Sequence, residues 1–242
     1  MDKISFIFPN NKQNNKFLTE SIQNIKTENS NNNLTTNSIT NYIKIAPNVY
    51  RFYNKVKNND FNLEDNIYIL YINACQVKME NIYTAIEMFK KCYKLINDNT
   101  KKEVKYEIYV NLALLLSDTD ISRNEIYKYY DEALEICPDR AEPYYYCSIY
   151  CNKIKDFEKS YDLLKKALEL SFEDANKKYP GTQFTAYGKH LYYELAVACY
   201  WLKKFEEAKV LLNVIVDDPD FNEYNVRIKK NLELTVKELE NI

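Results

Sequence analysis

A pattern of small, aromatic and aliphatic residues between Arg140 and Ser171 returns between Lys189 and Asp218, and this return constrains the fold more than any other feature of the chain. Tyr144, Cys147, Ser148 and Cys151 are followed by Phe157, Ser160, Leu164 and Ala167; Tyr192, Leu195, Ala196 and Cys199, then Phe205, Ala208, Leu212 and Ile215, keep the same register. Spacings of three and four put each set on one helical face. Small residues at Ser148, Ala196, Ser160 and Ala208 mark close approaches of helices, because a large side chain there would hold the axes apart. Each stretch therefore reads as a helix–turn–helix unit.

The pattern continues toward the N-terminus with less regularity. Tyr130, Ala133 and Pro138 keep the spacing in which the last small residue precedes a helix-ending proline, and Ala133 stands 34 residues before Ala167. Further back, Ala85, Phe89 and Cys92 keep the offsets of a second helix, although Ala74 is one residue out of register. Four helix pairs are expected, near 63–98, 103–138, 141–172 and 189–218. Residues 173–188 hold both glycines of the chain, Gly181 and Gly188, and read as an insertion; loops of this length tend to be functional or disordered. Val226, Ile228, Leu232, Val236 and Leu239 give 222–240 the pattern of a capping helix. Val49, Phe52, Tyr53 and Val56 suggest an entry helix at 48–57, whereas residues 1–45 are rich in Asn, Thr and Ser and bury too little to fold alone.

Composition narrows the function classes. Two glycines leave no phosphate-cradling loop or dinucleotide fingerprint. A net charge of −2 gives no whole-chain field toward nucleic acid or an anionic membrane, so neither partner is expected. No run reaches the ~18 apolar residues of a membrane span, and the start MDKISFIFPNN lacks the basic lead and long apolar centre of a signal peptide. A cytoplasmic protein is expected, with its six cysteines reduced. The sequon at Asn33-Leu34-Thr35 accordingly reads as chance, and the abundance of Asn, Lys, Ile and Tyr fits an AT-rich coding source.

These small, aromatic and proline positions, with their 34-residue period, resemble the tetratricopeptide repeat (TPR). The resemblance implies an all-α, TPR-like α-solenoid of about four helix pairs between an entry helix and a capping helix. Residues from about Glu103 to Leu234 also resemble the repeat region that follows the catalytic domain in family-two-type glycosyltransferases. The residues that carry this are Asn111-Leu112-Ala113, Ala133 to Pro138, the Arg140-Ala141-Glu142-Pro143-Tyr144 junction, Glu194 to Trp201, Phe205 to Ala208, and Arg227 with Asn231. Only Ile4 to Pro9 with Phe17 to Ile22 looks like the start of that family's α/β catalytic domain, so transferase activity does not carry over. The resemblance implies a non-enzymatic scaffold for protein–protein interaction, set in glycan synthesis. A degenerate or split transferase that retains nucleotide-sugar binding is the alternative, and self-association through the ends of the stack is a third.

Candidate sites follow from the register. TPR arrays bind partners on the face of their first helices, which here presents Glu142, Tyr145, Ile149, Asn152 and Lys153 in the third unit and His190, Tyr193, Val197, Tyr200 and Trp201 in the fourth. A protein or peptide partner is expected in this groove, with plain packing within the array as the other reading of the same residues. Glu142, Tyr145 and Ile149 replace the Lys, Asn and Arg with which chaperone-binding TPRs clamp a C-terminal carboxylate. No cofactor, catalytic residue or metal is expected. Asp118-Thr119-Asp120 has the acid–X–acid form of a metal-binding strand end, but Tyr109, Leu112, Ala113 and Leu116 keep helical spacing and favour a turn. Asp217-Asp218-Pro219-Asp220 reads as a helix terminus. Cys147 and Cys151 could offer two thiolates to zinc, yet Cys199 repeats the Cys151 position and favours core packing. His190, the sole histidine, is expected in a solvated position at a helix start.

Overall fold

The computed structural model describes residues 66–241 apart from 79, 120, 180 and 181; all belong to the second of two units into which the chain divides, Asp60–Ile242. The tract at 1–45, the entry helix at 48–57 and the strand-like run at Ile4 to Pro9 lie outside the described residues. Those described are 79% helical and contain no strand. Helices α1 (Asn66–Val77) and α2 (Ile82–Leu95), α3 (Lys102–Leu116) and α4 (Arg123–Ile136), α5 (Glu142–Lys153) and α6 (Phe157–Leu168), and α8 (Tyr192–Trp201) and α9 (Phe205–Ile215) pack as neighbouring pairs. Between the last two pairs lie α7 (Phe172–Lys178) and two 3₁₀ turns, Phe184–Ala186 and Gly188–Leu191; a third 3₁₀ turn, Pro219–Tyr224, leads into α10 (Asn225–Glu240), which packs on α9. None of the described helices is long and apolar enough to cross a membrane.

Local chemistry sets the boundaries. Asn81, Asp156 and Ser171 accept hydrogen bonds from the backbone N–H of Thr84, Lys159 and Asp174, capping α2, α6 and α7. Pro143 sits in the first turn of α5, where its missing N–H is not needed. Helices α5 and α8 end alike. Lys155 (φ 65°) and Lys203 (φ 60°) take the left-handed conformation. The N–H of Asp156 reaches Cys151 O at 2.8 Å, and that of Lys204 reaches Cys199 O at 2.9 Å. This is the Schellman termination, with lysine in the place that glycine usually takes.

The two helices of a pair differ in burial. Eight of the ten residues of α8 are buried, and eight residues of α3, because each first helix lies between its own partner and another pair. Helices α6 and α9 bury three residues each, a single stripe against the core. Contacts between pairs follow from this: α2 packs on α3, α4 on α5 and α6 on α8, and the first helices also touch in series, α3 to α5 and α5 to α8. Ser148, Ser160, Ala196 and Ala208 are fully buried, and the Ser160 hydroxyl donates to Ser148 O at 3.2 Å where α5 crosses α6.

The segment expected as an insertion is built into the core. Ala175, Ala186 and Tyr187 cluster with Ala141, Leu164 and Leu191, and Phe172 packs edge-on against both Phe184 and Tyr187. Its apolar residues pack into that cluster, and Gly188 (φ 57°) uses the backbone freedom of glycine.

Candidate binding face

Glu142, at the start of α5, is 1% exposed and fully engaged. Arg140 grips it through two bonds, Nη2 to Oε1 at 2.6 Å and Nε to Oε2 at 3.3 Å. The Gln183 N–H donates to Oε1 at 2.9 Å and the Tyr187 hydroxyl to Oε2 at 3.2 Å. The guanidinium also reaches Glu107 at 3.3 Å and stands 4.0 Å above the Tyr106 ring. Burial raises the Glu107 pKa, and Arg140 opposes the rise. The Tyr187 hydroxyl also accepts from Ala141 N at 3.0 Å, so the Arg-Ala-Glu junction fastens residues 183–187 to the start of α5. Tyr145 is half-buried with its ring tilted against Tyr146, whose hydroxyl donates to Gln183 Oε1.

Asn152, also 1% exposed, donates from Nδ2 to Glu194 Oε2 at 2.8 Å and to Glu194 O at 3.1 Å, joining α5 to α8. Burial pushes the Glu194 carboxyl up to about 7, with the Asn152 amide opposing. Lys153 is exposed and bridges back to the previous pair, donating to Ser117 O at 2.8 Å and Asp118 Oδ1 at 3.0 Å. Tyr193 is buried and accepts from Asn231 Nδ2 of α10 at 3.1 Å. Tyr200 is buried too, edge-on to Trp201 and Phe205, while Trp201 is 39% exposed and stacks flat on Phe157, centroids 5.4 Å apart.

His190 does not stand in solvent as the sequence suggests. Its ring is half-buried against Phe184 and Phe221, at centroid distances of 5.0 and 5.4 Å, and burial lowers its pKa. The 3₁₀ turn Pro219–Tyr224 brings Phe221 over it. Asp218 caps that turn through Asp220 N, and Lys189 pairs with both carboxylates, so this acidic run serves as a helix terminus. Leu112 to Leu116 form the end of α3, and Asp118-Thr119 lie in the turn beyond it. All six cysteines are buried as free thiols, Cys151 within 3.5 Å of the Tyr127 hydroxyl. Among the described residues, no group of three or more His, Cys, Asp or Glu side chains could hold a metal ion.

The face therefore divides. Asn152 bonds Glu194 and Tyr193 bonds Asn231; Tyr145 packs on Tyr146; Glu142 belongs to the Arg140 network; Tyr200 and Trp201 lie toward the end of α8. Glu194 was missing from the register-based set, although a signal for it exists. It is the lone charged residue in the otherwise apolar and aromatic helix YYELAVACYW. Arg140 and Tyr187 lie outside the repeat positions, so register alone could not select them.

No known protein family, no characterised protein and no solved structure matches the chain.

Proposed function

We propose that the helix pairs form a TPR-like α-solenoid acting as a non-enzymatic scaffold, with a protein or peptide partner held on the face of α3, α5 and α8. The observation that carries this reading is the serial contact of the first helices across three successive pairs, which makes a continuous strip of side chains from separate helices. The 34-residue spacing of Ala133 and Ala167 and the serine and alanine close approaches support it. The resemblance to transferase-associated repeats suggests glycan synthesis as the setting.

Panning a random dodecapeptide phage library on the full chain tests the reading. Enriched peptides are expected to lose binding with Tyr145→Arg on the first-helix face and to keep it with Val214→Arg, on the exposed side of α9. Equal loss in both variants, or no enrichment, overturns the scaffold reading. Calorimetric binding of a UDP- or GDP-sugar with manganese would instead favour a transferase remnant.

A further inference from the structure

Successive helix pairs meet along unlike surfaces. Where the third pair meets the fourth, Leu164, Ala167, Leu191, Leu195, Cys199 and Ala208 join one apolar cluster, and α6 packs along α8. Where the second meets the third, α4 packs on α5 less extensively than α6 does on α8. Tyrosines and charges cross there. Tyr146 and Tyr179 pack on the cluster of Tyr106 and Cys137, Tyr127 stands edge-on to Tyr150, and Arg140 reaches Glu107 at 3.3 Å. Interdigitated aliphatic side chains resist sliding, whereas sparse packing of polar-tipped rings and ion pairs marks a surface that opens at low cost.

On the first-helix side this junction is pinned at both ends. Arg140, just before α5, holds Glu107 of α3; Lys153, at the end of α5, donates to Ser117 O at 2.8 Å and Asp118 Oδ1 at 3.0 Å beyond α3. The second-helix side is open. A cleft of about 550 Å³ lies there, lined by Tyr127, Asp131 and Glu135 of α4 and by Lys159 of α6. The next junction shows the closed form. Tyr127 and Tyr161 are the fifth residues of α4 and α6, and each meets an acid and a lysine at the start of the following second helix. The Tyr127 hydroxyl donates to Asp156 at 3.1 Å, with Lys159 Nζ 3.4 Å from the ring centroid. The Tyr161 hydroxyl donates to Glu207 at 3.1 Å, with Lys204 Nζ at 3.4 Å. One turn beyond Tyr161, Lys165 adds an ion pair to Glu207 at 3.4 Å. Asp131 holds the matching place in α4 with the charges exchanged, and it lines the cleft with Lys159; among the described residues no ion pair joins the two.

We propose that the junction of the second and third pairs is a hinge: α5 to α10 turn as one body against α1 to α4 about the contacts at Arg140 and Lys153, and the cleft between α4 and α6 closes as Lys159 leaves the Tyr127 ring for Asp131. An exposed ion pair contributes little, so the open and closed arrangements lie close in free energy and both are populated. Helices α3 and α5 belong to opposite bodies, so the turn changes the spacing of the first-helix strip proposed to hold a partner. The effect on a partner rests on the scaffold reading; the hinge itself does not.

Double electron–electron resonance between nitroxides on the full chain tests the hinge. All six native cysteines are buried, so labels attach to cysteines introduced at exposed positions. Lys91→Cys with Lys166→Cys spans the hinge from α2 to α6, and Lys166→Cys with Lys237→Cys, from α6 to α10, stays on one side of it. Two distances are expected across the hinge and one in the control. Asp131→Glu, whose longer arm reaches Lys159, should shift the two populations toward the shorter distance by about two- to fivefold, the range for an exposed pair. Sodium chloride at about 1 M, where the screening length falls to about 3 Å, should reverse that shift and leave the control unchanged. Circular dichroism confirms that each variant is folded, and Glu87→Cys replaces Lys91→Cys if that one is not. A single distance across the hinge, as narrow as the control, overturns the inference. So do two distances whose ratio ignores both Asp131→Glu and salt. Two distances beside a phage panning that enriches nothing leave the hinge and remove the scaffold; one distance beside enriched peptides does the reverse.

Discussion

Glu142 and Glu194 are both buried, both sit on first helices, and are held in opposite ways. Glu142 has a bidentate arginine, a backbone N–H and a tyrosine hydroxyl. Glu194 has one amide. Taking a carboxylate out of water is repaid only when the remaining lone pairs find donors and a counter-charge lies close. The first site meets that condition and acts as a structural rivet. The second does not, and its carboxyl is pushed up to about 7. The contrast separates a group that holds the fold together from one with capacity left over.

Removing the arginine breaks the contrast most directly. Arg140→Leu leaves Glu142 as an uncompensated buried charge and should cost about 3–5 kcal/mol in urea unfolding at pH 7, the range for a broken buried pair. A loss below about 1 kcal/mol would show that the network is not what fastens residues 183–187. Glu194→Gln should act in the other direction. The folded pKa of about 7 lies above the ordinary 4.5, so between the two the folded chain holds a proton that the unfolded chain has released. Stability therefore falls as pH rises through that window and stays lower above it. At pH 8 the glutamine variant should be the more stable by roughly 3 kcal/mol, with the gap closing toward pH 4.5. A gap independent of pH would mean that Glu194 is ionised throughout and held by a cation.

Helicity and pairing were legible because they depend on local rules. Apolar residues at spacings of three and four, Pro138 and Pro219 beyond helix ends, and Ser148, Ser160, Ala196 and Ala208 at crossings all act within one or two turns of the chain. The binding face was legible only as a direction. Register places Glu142, Asn152, Tyr193 and Tyr200 on the first-helix face, and it carries no information on what closes over them. In the structure Tyr187 and Gln183 reach back to Glu142, Glu194 meets Asn152 across helices, and Asn231 of α10 meets Tyr193. Those partners lie 38 to 45 residues away, where spacing says nothing. The helix ends at Lys155 and Lys203 were hidden for another reason: the usual signal is glycine, and lysine stands there.

Between these larger effects lies the tyrosine that completes the Glu142 site. Tyr187→Phe removes the donor to Glu142 Oε2 and the acceptor for Ala141 N while leaving the ring packed against Phe172. A loss of about 1–3 kcal/mol is expected, because one deletion leaves two buried partners short. The carboxylate keeps Arg140, so the loss should stay below that of Arg140→Leu. If the two variants cost the same, the segment and the ion pair act as one unit, which a double-mutant cycle would show as a coupling near the full single-mutant cost.

The smallest effect tests whether α5 and α8, which carry the contrasting environments, are otherwise equivalent. Lys155 and Lys203 hold the left-handed conformation at matching helix ends, where a Cβ crowds the backbone and glycine does not. Lys155→Gly and Lys203→Gly should each stabilise the chain by about 0.5–1 kcal/mol, less whatever the freer unfolded glycine takes back. Both lysines are exposed, so no packing is lost. Equal gains would leave the difference between the two pairs with the acids and their partners. A gain at Lys155 with none at Lys203 would mean that α8 ends under different strain, and that part of the Glu194 burial belongs to the helix rather than to the missing cation.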